Sequence, residues 1–507
     1  MDVFLLTSNC CLLTSQEMTL TLSEIAAIVG SAPPASTDGR VAGYSIDSRT
    51  LRPGELFFAV RGRRLDGHDY VKAALDAGAA AAVVSADRWN DFPAETHSKL
   101  LAVPNTLGAL QKLAAAVRRR WGGPLVAVTG STGKTTTKQM IAALLRTRFR
   151  VFENEGNLNN QFGLPLSLLR LEPETEAGVF ELAMSGPGEI RQLAEFAAPD
   201  VGVITNVAPV HLEFFPDIEA IARAKFEMIE ALGERAWAVL NADDPRVATF
   251  GERMTGRALY YGITRPAEFR AEAVAANGHG VWAFTVSSAP IRTAAFGAVK
   301  AARRQIGDSA ADEHAAVRFR LPLLGRHNVL NALAALATGY LFGIPPACLV
   351  EALADLRPAS MRGEIVRLTN GALVVNDCYN SSPKALEAML AAVALLPARR
   401  RIAVLGGMFE LGPSSEAFHA QCGARAVELG FNLLITVGEQ ARAFAAGAQA
   451  AGFPAGHCVP LSSSEEAGDY LRERLQEGDV ALLKASRAVH LERAWERLGS
   501  FVPDEYK

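Results

Sequence analysis

Pro124-Leu-Val-Ala-Val-Thr-Gly-Ser-Thr-Gly-Lys-Thr-Thr-Thr137 is the stretch whose reading decides the fold. Leu125 to Val128 is a short apolar run rich in β-branched residues, long enough for one buried strand. It breaks into Gly130-Ser131-Thr132-Gly133-Lys134-Thr135-Thr136 and then into a helical pattern through Met140, Ile141, Leu144 and Leu145. Strand, glycine loop, Lys-Thr and helix make a phosphate cradle. The glycines let backbone N–H groups converge on phosphate oxygens, and the helix N-terminus adds partial positive charge. Lys134 reaches the β/γ-phosphates in such a cradle, and the Thr135 hydroxyl holds Mg²⁺. Val128 stands where the longer form of the motif has its first glycine, so this is the shorter G-x-x-G-K-T form. The stretch predicts nucleotide binding and an α/β domain around it.

Downstream, Gly156 to Pro165 is too rich in Asn and Gly for a helix or strand and reads as a loop carrying Asn160. Phe180-Glu-Leu-Ala-Met184 reads as a buried strand with one carboxylate, Glu181, which is costly to bury unless paired or bound to metal. Val201-Gly-Val-Ile-Thr-Asn206 is another buried strand and delivers Asn206 and then His211. A lone histidine after a strand is usually structural. One that accompanies Glu181 and Thr135 at strand ends beside a phosphate loop reads as part of a Mg²⁺ site, because ligands of open α/β sheets collect at the carboxyl ends of strands. Lys225, in a helical pattern from Ile218 to Ile229, could equally be a snorkelling surface lysine.

Residues 18–120 form a first αβ block that opens with a helix for which Ser23 is the expected N-cap. Asp47-Ser48-Arg49 there offers a hydroxyl and a guanidinium to an anionic ligand, or else is a turn with a surface ion pair. Residues 121–345 hold the phosphate loop, a weakly alternating hairpin, a polar tract at 303–312 expected to be a mobile loop, and a buried helix with Asn331. Ile344-Pro-Pro346 is the second boundary. Residues 346–507 carry apolar runs at 372–375, 401–405, 432–437 and 479–484 with helical segments between, a doubly wound pattern.

The chain as a whole narrows the function classes. At 507 residues it has room for about three domains. A net charge of −3 gives no electrostatic reason to expect nucleic acid or a membrane surface as partner. Six cysteines without C-x-x-C spacing read as reduced thiols of a cytoplasmic protein. No apolar run reaches the roughly 18 residues that span a bilayer. The N-terminal MDVFLLTSNCCLLTSQ has no Lys or Arg and carries Asp2, so it lacks the charged region of a signal peptide; residues 1–17 read as a disordered extension.

Taken together and in order, Asp47-Ser-Arg49, Thr129-Gly-Ser-Thr-Gly-Lys-Thr135, Asn157-Leu-Asn-Asn160, Gly188-Glu-Ile190, Ala224-Lys225, Gly325-Arg-His-Asn328 with Asn331, and Asp377-Cys-Tyr-Asn380 resemble the Mur ligases of peptidoglycan synthesis from about Met18 to the C-terminus. The resemblance implies three α/β domains: an N-terminal UDP-binding domain, a central parallel sheet of the P-loop ATPase type, and a Rossmann-like C-terminal domain. It implies an ATP- and Mg²⁺-dependent amide ligase working as a monomer through an acyl phosphate, with water excluded by domain closure. Within the family the pattern is nearest the branch that joins D-Ala-D-Ala to UDP-MurNAc-tripeptide. The alternative is the sister branch that adds the third amino acid, whose D-N-P-R signature is missing from this loop. A folate-type ligase lacks the first block, and a P-loop switch would hydrolyse ATP without either substrate.

By the same resemblance Lys134, Lys225, His211 and Glu181 serve catalysis. Thr135, Glu181, His211 and Lys225 hold metal, Lys225 as a carbamate. Asn328, Asn331, Arg362 and Asp377 meet the nucleotide alongside the phosphate loop. Ser48, Arg49 and Asn160, with Tyr379, Asn380 and Glu410, meet the substrates. The chain departs from the family pattern at Ser382, Phe226, Gly407 and Ala485.

Overall fold

The computed structural model describes residues 18–33, 39–62, 64–254, 256–288 and 316–499. The expected N-terminal extension and the polar tract at 303–312 lie outside the described residues. The chain is mixed α/β. The chain divides into two compact units: residues up to 127 with 148–184 and 188–200, and residues 128–147, 185–187 and 201 onward.

In the first unit, β1 (Gly43–Ser45), β2 (Glu55–Phe58), β3 (Ala81–Ser85) and β4 (Leu100–Val103) make a four-stranded parallel sheet in sequential order. The opening helix, Leu22–Val29, is capped by Thr21, not by Ser23. Thr21 Oγ1 accepts from the Glu24 N–H while the Glu24 carboxylate accepts from the Thr21 N–H, a reciprocal box that Ser23, without such a partner, does not form. β5 (Leu125–Thr129) is buried along its whole length, and its start is held in this unit by Asp200, whose carboxylate accepts the Leu125 N–H at 2.8 Å and pairs with Arg118 at 3.0 Å. β6 (Val151–Glu153) pairs in parallel with β7 (Ala177–Glu181). The latter lies three residues before the expected run, so Glu181 ends the strand. Gly163 to Pro165, expected as loop, already forms the first turn of the helix Gly163–Leu168. Asn160 Oδ1 makes this possible by accepting the N–H groups of Phe162 and Gly163.

In the second unit β8 (Val201–Ile204), β9 (Trp237–Asn241), β10 (Arg257–Gly262) and β11 (Phe269–Ala276) run parallel, while β12 (Trp282–Ser288) and β13 (Val317–Leu321) return antiparallel. The reversal is the expected hairpin. Asn277 Oδ1 accepts from the N–H groups of His279 and Val281, and Gly280 takes φ 78°.

The last sheet adds β14 (Glu364–Arg367), β15 (Leu373–Asn376), β16 (Arg400–Gly406), β17 (Leu433–Val437), β18 (Cys458–Leu461) and β19 (Asp479–Lys484), in the order β14-β15-β19-β16-β17-β18. Successive residues serve opposite faces: Val375, Leu405, Leu434 and Leu482 enter one core, and Val374, Val404, Ile435 and Leu483 the other. Each such buried side chain contributes about 1.5–3 kcal/mol. β19, with no exposed residue, begins with Asp479 and ends with Lys484, and both charges are paired, to Arg400 at 2.6 Å and to Asp377 at 2.5 Å. Its carboxyl end opens where the strand order reverses, the place where ligands of such sheets bind.

Candidate nucleotide and ligase site

The phosphate loop between β5 and the helix Lys134–Leu145 is held from below by the residues that follow β8. Thr205 Oγ1 donates to the Thr132 carbonyl at 2.6 Å. Asn206 Oδ1 accepts the Thr132 N–H and hydroxyl, each at 3.1 Å, and its carbonyl accepts the Ser131 N–H at 2.9 Å. The approach is so close that a Cβ on Gly130 (φ 148°) would lie 1.9 Å from Thr205 Oγ1. Gly133 (φ 81°) packs on Asn331, whose Oδ1 would be 2.6 Å from a Cβ there. Lys134 Nζ bonds back to the carbonyls of Gly130 (2.9 Å) and Ser131 (3.4 Å), which draws the ammonium across the loop. These are the features of a cradle for phosphate oxygens, and the residues present fit a nucleoside triphosphate.

Beside the loop opens a shallow cleft lined by Thr136, Gln139, Asn328, Arg357 and Arg362 among others. Asn328 Nδ2 donates to the Leu324 carbonyl at 2.8 Å, and Asn331 Nδ2 donates to Asn328 Oδ1 at 2.9 Å. The two asparagines therefore support each other on the first turns of the helix His327–Leu341. Asp377 follows β15 and is bound by Lys484 Nζ, which also donates to the Asn380 carbonyl at 2.9 Å. Thus Thr136, Asn328 and Arg362 share one cleft wall, and the buried ammonium ties Asp377 to Asn380.

Lys225 stands in the helix Ile218–Glu230 and is 2% exposed, so it is not a snorkelling surface residue. Burial lowers its pKa well below the usual lysine range, and the positive charge of Lys134 lowers it further. His211, at φ 58°, places Nδ1 2.5 Å from Glu410 Oε2, and the Glu213 N–H donates to the Glu410 carbonyl at 3.3 Å. The hydrogen bond from His211 lowers the Glu410 pKa, against an opposing contribution from burial. Among the described residues no three or more His, Cys, Asp or Glu side chains cluster as a metal site. A magnesium ion at the loop would have to draw on the Thr135 hydroxyl and phosphate oxygens.

In the first unit Glu181 is 3% exposed; its carboxylate accepts from Asn159 Nδ2 at 2.9 Å and its N–H is held by Asn154. Asn159, one residue before the predicted Asn160, is a hydrogen-bond partner of this buried carboxylate. Ser48 and Arg49 lie in an exposed turn in which Arg49 grips Asp47 with two bonds, 2.9 Å from Nε and 2.6 Å from Nη2, and draws its carboxyl down to about 2.

Two supports escaped the sequence reading. His419 Nε2 accepts the Met408 N–H at 2.8 Å while Nδ1 faces the Ser415 carbonyl at 2.6 Å, which fixes a neutral ring. Burial lowers the pKa of that ring and keeps it so. Ser486 Oγ accepts the Phe409 N–H at 3.1 Å. Both hold the loop that carries Glu410, and a lone helix histidine and a lone serine give no motif by which to find them.

Comparison with known proteins agrees with this geometry. Three family models match: the Mur ligase family catalytic domain over residues 40–118, the Mur ligase middle domain over 128–339, and the Mur ligase glutamate ligase domain over 361–487. The UDP-N-acetylmuramoyl-tripeptide–D-alanyl-D-alanine ligase of Bacillus subtilis is 35% identical over 451 residues, 89% of this chain and 91% of the relative. The protein of that name from Escherichia coli K12 is 32% identical over 428 residues, 84% and 87% of the two chains. The crystal structure of the MurF ligase from Thermotoga maritima in complex with ADP superposes with a TM-score of 0.75 at 30% identity, covering 90% of this chain and 96% of that one. A MurF crystal structure from Acinetobacter baumannii gives 0.80 at 25% identity, covering 96% and 98%.

Proposed function

The chain belongs to the Mur ligase family, and we propose that its phosphate loop and cleft bind ATP for the joining of D-Ala-D-Ala to UDP-N-acetylmuramoyl-tripeptide. The activity is that of an ADP-forming ligase that makes UDP-N-acetylmuramoyl-pentapeptide for peptidoglycan. The relatives named above carry this activity in their names, so the sister ligase for the third amino acid is not favoured. The observation that carries the reading is the meeting of Thr136, Asn328 and Arg362 in one cleft beside the cradle of Lys134.

The chemistry follows from the poor acyl donor. A carboxylate oxygen of the tripeptide attacks the γ-phosphorus, ADP leaves, and an acyl phosphate forms. The neutral amine of D-Ala-D-Ala then attacks the acyl carbon, phosphate leaves, and the amine loses its proton. Negative charge accumulates in the first step, where Lys134 and the loop N–H groups offset it. The Thr135 hydroxyl, His211 and a carbamylated Lys225 would hold Mg²⁺, which would supply further charge neutralisation on the phosphate oxygens. Asn331 and Asn328 meet the base, Asp377 and Arg362 reach the nucleotide, and the Asn380 and Glu410 loops receive the dipeptide. The reaction belongs in the cytoplasm, where ATP is supplied. No helix among the described residues is long and apolar enough to cross a membrane.

Phosphate release from ATP tests the reading, with UDP-MurNAc-tripeptide and D-Ala-D-Ala each omitted in turn. Release that requires both, with a pentapeptide product by mass, is expected. Release with UDP-MurNAc-dipeptide and a single amino acid would move the chain to the sister branch, and release indifferent to both would leave only an ATPase.

A further inference from the structure

Tyr379 sits in the loop after β15, where sequence resemblance makes it a contact for the dipeptide. Its surroundings give it a different task. The Arg362 guanidinium lies over the Tyr379 ring, with Cζ 4.1 Å from the ring centroid. Arg487, from the loop after β19, approaches the same ring at 5.9 Å. The Tyr379 N–H donates to the Met361 carbonyl at 3.2 Å, and Arg487 Nη1 reaches Met361 Sδ at 3.8 Å. Met361 itself takes φ 60°, a left-handed conformation that an unbranched side chain adopts only where its surroundings hold it. Tyr379 therefore grips the Met361–Arg362 segment twice, by its backbone N–H on one residue and its ring face on the next.

Arg362 lines the nucleotide cleft with Thr136 and Asn328. Among the described residues no carboxylate pairs with it, so the ring is what fixes its direction. A guanidinium stacked on an aromatic face keeps the in-plane fork of N–H donors free for an anion. We propose that Tyr379 is a positioning residue for the nucleotide, acting through Arg362 to set that fork toward a phosphate-bearing ligand in the cleft. The inference rests on the ATP-binding reading above. It makes the loop Asp377–Asn380 a joint element: Asp377 and Tyr379 serve the nucleotide side while Asn380 remains with the dipeptide.

The test is ADP affinity by calorimetry together with KM values for ATP and D-Ala-D-Ala. Tyr379→Leu is expected to weaken ADP binding and raise KM for ATP by about 2- to 30-fold, the range of a stacked cation. The KM for D-Ala-D-Ala should move less than twofold. Tyr379→Phe, which keeps the ring face, should retain ADP affinity, and it controls for a Leu variant that folds poorly. In an Arg362→Met background, Tyr379→Leu should add less than twofold, because the group it positions is gone. Independent, multiplying effects in that cycle would overturn the proposal. So would equal loss of affinity in Phe and Leu variants, or a change confined to the KM of the dipeptide. Wild-type protein that bound no ADP at all would instead remove the premise, a result distinct from wild-type binding that Tyr379→Leu leaves intact.

Discussion

His211 Nδ1 lies 2.5 Å from Glu410 Oε2, and both residues hold left-handed backbones, φ 58° and 62°. Two non-glycine residues in that region, joined through their side chains, mark a place where the fold maintains a conformation it does not prefer locally. The hydrogen bond favours the ionised carboxylate, which is why the Glu410 pKa is depressed. Its contribution is thus present at neutral pH and is lost as pH falls through the folded-state value. We expect Glu410→Gln to lower kcat/KM roughly ten- to hundredfold, the range for a charged hydrogen bond. Glu410→Gly removes the backbone strain and should leave the thermal midpoint at or above that of the parent while activity falls at least as far. Steady-state kinetics within twofold of the parent for both variants would show that the link is only structural.

The phosphate loop makes a sterically sharper forecast. Gly130→Ala would put its Cβ 1.9 Å from Thr205 Oγ1 and 3.2 Å from the Asn206 N–H, at a φ of 148° that side chains rarely adopt. Thr205 must then release the Thr132 carbonyl. A cost of about 1–3 kcal/mol for the strained residue is expected in chemical unfolding, with ADP affinity falling by an order of magnitude or more. By contrast Gly156→Ala, at an open loop position where no atom lies within 4 Å, meets only its own backbone strain at φ 53°. It should leave ADP affinity unchanged. Equal effects of the two substitutions would mean that close packing under Gly130 does not matter to binding.

The phosphate loop and the doubly wound third block were legible because their signals are local: a fixed spacing of glycine, lysine and threonine, and short apolar runs such as 480–483 bounded by polar residues, of the length of a buried strand. Thr21 was hidden because a capping box depends on which residue turns the chain, and Ser23 satisfies the same residue preference two positions later. Asn159, His419 and Ser486 were hidden for a different reason. Asn159 and Ser486 act on partners 22 and 77 residues away, and His419 reaches Met408 across a loop, so no local periodicity marks the pairs. Lys225 shows the limit most plainly. Its neighbours Ala224 and Phe226 read equally as a surface stem or a core, and burial alone separates a snorkelling ammonium from a desolvated amine.

Asp66 carries an acid-sensitive contribution to the stability of the first unit. Burial by itself would raise its pKa, but the backbone N–H and imidazole of His68, with the Arg61 guanidinium, more than offset this and hold it at about 2. The unfolded carboxyl titrates near ~3.9. A depressed folded value means the unfolded chain binds the proton first, so the contribution is complete above about pH 5 and is lost as pH falls toward 2. Asp66→Asn should therefore lower the midpoint of urea unfolding at pH 7 and make much less difference at pH 3. A gap between parent and variant that stays constant over that range would refute the electrostatic account.

Lys225 offers a chemical test that does not depend on turnover. Burial and the charge of Lys134 lower the pKa of the Lys225 ammonium and so favour its neutral amine, the form that is nucleophilic toward CO₂. The N–C bond forms as one C=O π pair moves to oxygen and the amine releases a proton, leaving a carbamate. That step turns a neutral amine into an anion that can bind Mg²⁺ at the phosphate loop, where the protonated lysine would repel it. Protein equilibrated with ¹³C-bicarbonate should show a carbamate carbon resonance that vanishes in Lys225→Ala, and that variant should lose activity by about a hundredfold or more. The sign with pH is fixed by the same chemistry: lowering pH reprotonates the amine and empties the carbamate, so added bicarbonate should restore activity most at the acid end of the profile. A resonance that survives in Lys225→Ala, or an acid limb indifferent to bicarbonate, would refute the carbamate at Lys225.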